Sequence, residues 1–234
     1  MIQSADGGGG MLPLVRLLQL ASPTLPIGAY SYSQGLERIV EDGLVRDAES
    51  VQSWIVDLLE LVVARAEAPI AWRLLEAVEA RDWPSFSSWN ARFRASRETA
   101  ELRAETEQMG GSLAKLAVEL ELVDAQTRKL VEAISPITLP ASFALAAQGF
   151  GIPAQPALTA YIWAWLENQV LAAVKLVPLG QVAGQRLLAS LGAAIPAVVE
   201  TTMTVADDEL STFAPGLALA SARHETQYTR LFRS

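Results

Sequence analysis

Cysteine is missing from these 234 residues, and histidine occurs once, at position 224. Without a thiol the chain has no disulfide framework, thiolate nucleophile, iron–sulfur cluster or cysteine-based zinc site. A single imidazole removes most remaining soft-metal chemistry, because tight zinc, copper or nickel sites draw on Cys and His. Lysine is almost as scarce: three of the 18 cationic side chains are lysines, against 26 acids, for a formal net charge of −8 and an isoelectric point near 4.8. Such a balance argues against a nucleic-acid partner, whose phosphates call for clustered Lys and Arg. Charged residues make up only 19% while apolar ones reach 51%, with mean hydropathy +0.25. That is more apolar surface than a monomer comfortably exposes, so an oligomer or an obligate partner is expected. A membrane span is not, since no run of about 18 apolar residues is free of polar or helix-breaking interruption. The best candidate, 157–177, carries Glu167, Asn168 and Gln169 in its middle. No basic segment precedes an apolar stretch at the N-terminus, so no secretory signal is expected and the chain is read as cytoplasmic.

What is present is helical periodicity almost throughout. Gly7–Gly10 closes a flexible N-terminal arm, after which 12–21 reads as a short apolar helix stopped by Pro23 and Pro26. Leu36, Ile39 and Val40 share a face of a segment ending near Gly43. Asp47 then caps a helix expected to run to about Glu67, with Val51, Trp54, Ile55, Leu58, Leu59 and Val62 in an i, i+3, i+4, i+7 stripe. Pro69 and Pro84 suit first turns of two further helices. Leu102, Met109, Leu113, Leu116 and Leu120 continue the pattern through Gly110-Gly111, a pair that implies either a kink or a close helix approach. A buried helix is expected over 140–150. Leu158, Tyr161, Ile162, Trp165, Leu166, Val170, Ala173, Val174 and Val177 then form the strongest stripe, expected at the centre of the fold. Two short helices follow at 181–191 and 197–205. No strand alternation bounded by hairpin turns occurs. The expectation is an all-α, single-domain bundle of roughly ten helices with an extended C-terminal tail.

Catalytic motifs are hard to find. His224 lies in the expected tail, a poor place for a triad histidine. The phosphate cradle G-x-x-x-x-G-K-[ST] is absent, and the acidic pairs Glu41/Asp42 and Asp207/Asp208 read as solvent-facing turns. No cofactor is implied. Three segments are more specific. Residues 20–37, with Tyr30, Ser31, Tyr32, Gln34 and Glu37, set hydroxyls and aromatics after two prolines; a rigid capped turn is the plainer account. Residues 167–186 place Lys175 in the last turn of an apolar helix, followed by Gln181, Gln185 and Arg186. A partner's carboxylate and a mere polar patch are both open there. Residues 221–234 interleave Arg223, Arg230 and Arg233 with Tyr228, Leu231 and Phe232. Ordering them costs on the order of 14–28 kcal/mol in backbone entropy, which a partner groove could recover. Deleting 221–234 is accordingly expected to leave the helical core intact.

These places carry a resemblance. LQLASPTLPIG at 18–28, YSQGLE at 32–37, Arg97-Glu-Thr with Gln108-Met-Gly, Pro178-Leu-Gly-Gln with Gly-Gln-Arg186, and Arg223-His-Glu with Arg230-Leu-Phe-Arg-Ser occur in order over nearly the whole chain. In them the sequence resembles the UreF family of urease accessory proteins, departing at Ala29, where the family often has glycine. The resemblance implies an all-α, dimerising scaffold without catalytic activity, over 12–213 with a flexible arm at 1–11 and a partner-binding tail at 214–234. It further implies that the scaffold binds UreD (also called UreH) and with it recruits the GTPase UreG to the urease apoprotein, regulating GTP hydrolysis for nickel insertion. By the same resemblance Arg223, His224, Glu225, Tyr228, Arg230, Leu231, Phe232, Arg233 and Ser234 face UreD/UreH. Tyr30, Ser31, Tyr32, Gln34, Glu37, Lys175, Gln181, Gln185 and Arg186 are candidates for the UreG side. Two rival readings remain: an all-α small-molecule enzyme using carboxylates, and a direct nickel-delivery protein.

Overall fold

In the computed structural model, which describes residues 11–234, the chain is all-helical, and no strand forms among the described residues. The glycine run at 7–10 lies outside them. Met11, expected in the flexible arm, already opens helix α1 (Met11–Leu20). After a 3₁₀ turn at Ala29–Ser31 comes the short α2 (Leu36–Glu41). Helix α3 (Ala48–Leu58) starts on a reciprocal cap, Asp47 accepting from Ser50 N–H at 2.9 Å and the Ser50 hydroxyl from Asp47 N–H at 3.1 Å.

The break expected near Glu67 does not occur. A π-helical stretch, Leu59–Glu67, carries α3 directly into α4 (Ala68–Glu79), with Ala68 N–H donating to the Val63 carbonyl five residues back. Pro69 has no N–H to offer, and the Arg65 carbonyl it would have served accepts from Ser211 N–H at 3.2 Å instead. Asp82, Thr99 and Asp124 then cap α5 (Trp83–Ala95), α6 (Ala100–Glu119) and α7 (Ala125–Ala133) by accepting from the third residue onward. Helix α7 is one that the apolar periodicity leaves unmarked.

The centre is built by α4, α8 (Leu139–Gly149) and α9 (Ala154–Leu176), with α6 against α8. Leu74, Ala144, Ala147, Leu158, Ile162 and Leu166 are sealed from solvent; each large aliphatic among them contributes about 1.5–3 kcal/mol by its burial. Of the two explanations for Gly110-Gly111, close approach holds. A Cβ on Gly110 would overlap the backbone at Ile137 and Thr138, and its carbonyl accepts from the Ser142 hydroxyl at 2.7 Å. In the α9 stripe Trp165 is half-buried, not central, and donates to Gln34 at 2.8 Å. Helices α10 (Gly180–Gly192) and α11 (Ile195–Thr202) follow. It is this stretch, 180–202, and not 157–177, that is long and apolar enough to cross a bilayer by length and composition, at mean hydropathy 1.5. Its Leu187, Leu188, Leu191, Ile195 and Val199 are buried in the fold.

The extended tail needs the largest correction. Residues 215–224 form α12 (Pro215–His224), which packs on α2 and α6, and the last ten residues fold back over the body. Gly35 makes this possible: at φ +79° it caps α2 in a left-handed conformation, and its missing side chain leaves room for Ala220 and Ser221.

Candidate functional site

Three carboxylates and two backbone bonds hold residues 225–234 as a strap. Ser33 N–H donates to the Ser234 carbonyl and Arg233 N–H to the Ser31 carbonyl, both at 2.7 Å. The buried Glu37 of α2 accepts from Leu231 N–H at 2.6 Å and from Phe232 N–H at 2.9 Å. Glu101 of α6 accepts from Arg230 at 2.8 Å, and Glu105, one turn further on, accepts from the Ser234 hydroxyl at 3.0 Å and from Gln34 at 2.8 Å. Gln108 completes the row, accepting from the Tyr32 hydroxyl at 2.7 Å and from Arg233 at 3.3 Å. Residues 101, 105 and 108 share one face of α6 at i, i+4, i+7 spacing. That acceptor stripe, with Glu67, is what the sequence reading misses, and the polar repeat itself was the available signal.

His224 is not in a loose tail. Its ring is fully buried, with Glu101 at 2.8 Å from Nδ1 and Glu37 at 3.1 Å from Nε2. Thr99 and Ser221 share a hydroxyl bond of 2.7 Å beside it, and Glu225 accepts from Ala100 N–H at the start of α6. Arg223 is exposed, 3.7 Å from Asp42. Phe232 is buried, and Lys175 lies 5.4 Å from its ring centre and 5.9 Å from that of Tyr30, so one cation bridges strap and turn. Asn168 donates to the Tyr32 carbonyl at 3.0 Å, and Gln169 to Gln34 at 3.0 Å.

The two residue sets expected on separate surfaces therefore interlock. Tyr30, Ser31, Tyr32, Gln34, Glu37 and Lys175 gather with the strap. Gln181, Gln185 and Arg186 do not: they are exposed on α10, with no side-chain hydrogen bond or ion pair among the described residues. What remains open to solvent at the cluster is aromatic, aliphatic and cationic: Tyr30, Tyr228 and Leu231, flanked by Lys175, Arg223, Arg230 and Arg233.

Under this face lies a cavity of about 100 Å³, walled by Leu20, Met109 and Phe143. At its polar end Arg97 and Glu67 form a buried ion pair. Glu105 is there too, its carboxyl pushed up to about 7 chiefly by burial; the bonds from Gln34 and Ser234 pull the other way. Tyr161 is raised well above its usual value, also by burial. These inward acids are occupied by protein partners. Among the described residues no group of three or more His, Asp or Glu side chains is arranged to hold a metal ion.

The UreF family model matches residues 45–192. A urease accessory protein UreF from Azoarcus sp. (strain BH72) is 56% identical, over 99% of this chain and 100% of that protein. A second UreF, from Janthinobacterium sp. (strain Marseille), is 53% identical over 94% of this chain and 98% of its own length. A bifunctional urease accessory protein UreEF from Bordetella bronchiseptica is 53% identical over the whole of this chain, which spans 54% of that longer protein.

Proposed function

Since the chain belongs to the UreF family of urease accessory proteins, which are maturation factors and not enzymes, we propose that it works as a scaffold in urease maturation. In this reading it binds UreD/UreH, recruits and regulates the GTPase UreG, and so serves nickel insertion into the urease apoprotein in the cytoplasm. The observation that carries it is the closed strap. On a chain of net charge −8 it presents Tyr228 and Leu231 exposed beside four cations, the composition that binding hot spots favour. Because Lys175 touches both the strap and Tyr30, the UreD/UreH and UreG contacts adjoin across that lysine. Self-association belongs to the same proposal, supported by the solvent-facing apolar side chains Met11, Leu14, Val15 and Leu18 of α1. The fused relative from Bordetella supports a role beside a further accessory component.

Exposed positions give the clean test. Leu231→Asp and Tyr228→Ala should abolish co-elution with UreD/UreH while the melting temperature of the free chain stays put. Lys175→Ala should leave that complex intact and change UreG engagement or its GTPase rate. Undisturbed complexes in all three variants would refute the assignment. Direct nickel delivery is the weaker reading, because the one imidazole is sealed between two carboxylates.

A further inference from the structure

We propose that His224 is a proton-operated latch: the strap is held closed while the imidazole carries both ring protons, and loosens as rising pH removes one. The geometry is a buried ring with a carboxylate oxygen against each nitrogen, at 2.8 Å from Glu101 and 3.1 Å from Glu37. Only the imidazolium has two N–H donors. A neutral ring turns a lone pair on one of those oxygens, in a place where the ring has no contact with water. One carboxylate must then move.

Movement there reaches the strap, because the same two carboxylates hold it. Glu37 carries the Leu231 and Phe232 N–H groups, and Glu101 carries Arg230. The charges around the ring make the same point. From α2 it faces Glu37, with Asp42 beyond it engaged by Arg38 and Arg223; from α6 it faces Glu101; from the strap come Arg230 and Glu225, the latter accepting from Ala100 N–H at the start of α6. With the ring charged, Glu37 and Glu101 are balanced by Arg230 and His224. With the ring neutral, Arg230 alone is left against two carboxylates. Glu105, Lys175 and Arg233 lie further along the strap and make no hydrogen bond to the ring.

A sole histidine makes the test direct, and it needs only the full chain, so its failure is separate from any failure of the partner reading. With ¹⁵N-labelled histidine in a pH series, both ring nitrogens should resonate as protonated at the lower end, where the strap is closed, and one should have lost its proton at the higher end. Amide exchange at Leu231 and Phe232, corrected for its intrinsic pH dependence, should accelerate by roughly ten- to a hundredfold through the same midpoint, the effect of one charge-assisted hydrogen bond. His224→Gln should abolish that step. Glu101→Gln, whose amide can donate to a neutral ring, should keep the strap protected at the higher pH. The proposal is overturned by a ring already neutral at the lower pH, by a titration that leaves strap exchange flat, or by an exchange step that survives in His224→Gln. Loss of helicity by circular dichroism at the same midpoint would overturn it as well, since the whole fold and not a latch would then be opening.

Discussion

Replacing Glu105 with glutamine should stabilise the protein by an amount that grows from about pH 4.5 and levels off above about pH 7. The carboxyl is 3% exposed and its hydrogen bonds come from neutral groups, Gln34 and Ser234, while Arg97 is committed to Glu67. Burial lifts it from an ordinary 4.5 to about 7. The folded chain thus holds this proton more tightly than the unfolded one. Below the unfolded value the group is neutral in both states and costs nothing. As pH climbs from 4.5 to about 7 the unfolded state ionises first and gains, and above that the penalty is constant. A difference of about 2.5 units corresponds to about 3 kcal/mol. Glutamine removes the penalty and keeps both contacts, its oxygen accepting from Gln34 and its amide donating to the Ser234 hydroxyl. Urea denaturation followed by circular dichroism at about pH 5 and about pH 8 should show the variant ahead by less than about 1 kcal/mol at the lower value. At the higher, the variant should lead by up to about 3 kcal/mol. Parallel pH profiles, or a variant weaker at the higher pH, would refute the reasoning.

Neighbouring strap positions should behave oppositely on truncation. Phe232→Ala removes a ring that is 5% exposed and should cost about 3 kcal/mol, whereas Leu231→Ala, at 66% exposure, should move the thermal midpoint hardly at all. The adjacent glycines of α6 should also diverge. Gly110→Ala drives a methyl into the backbone at 137–138 and should destabilise by about 1–3 kcal/mol or more, while Gly111→Ala meets nothing and should gain about 0.5–1 kcal/mol; urea midpoints separate the two. Glu67→Gln leaves Arg97 buried and unpaired and should cost about 3–5 kcal/mol, with much of that recovered in a Glu67→Leu, Arg97→Met double variant. A double variant no better than the single would sink that account.

Much of the fold was legible because it rests on one period. The stripes of α3 and α9, the cap at Asp47, the first-turn Pro84 of α5 and the buried 140–150 segment are local facts, and local patterns report them. Helix α7 escaped because it buries a single residue, Thr127, and so carries little apolar signal. Pro69 looked like a boundary because proline usually is one; what keeps the helix going is a carbonyl partner supplied from Ser211, far away in the chain. The strap failed for the same reason at larger scale. His224 meets Glu37 across 187 residues and Ser33 meets Ser234 across 201, and no period encodes such a pairing. The residue types at 30–37, 175 and 223–234 did mark the region; that they form one face was invisible until the chain closed on itself.

Closure over such distances changes how the face can be studied. It is assembled from four stretches, 30–37, 97–108, 165–175 and 221–234, none of which carries it alone. A synthetic peptide copying the last fourteen residues would lack Glu37, Glu101 and Glu105 and would be a poor competitor for any protein that grips the strap. For the same reason a ligand of this face draws on the integrity of the entire bundle. Its binding should raise the melting temperature of the intact chain in a concentration-dependent way, so thermal shift can screen for what docks there before any complex is isolated.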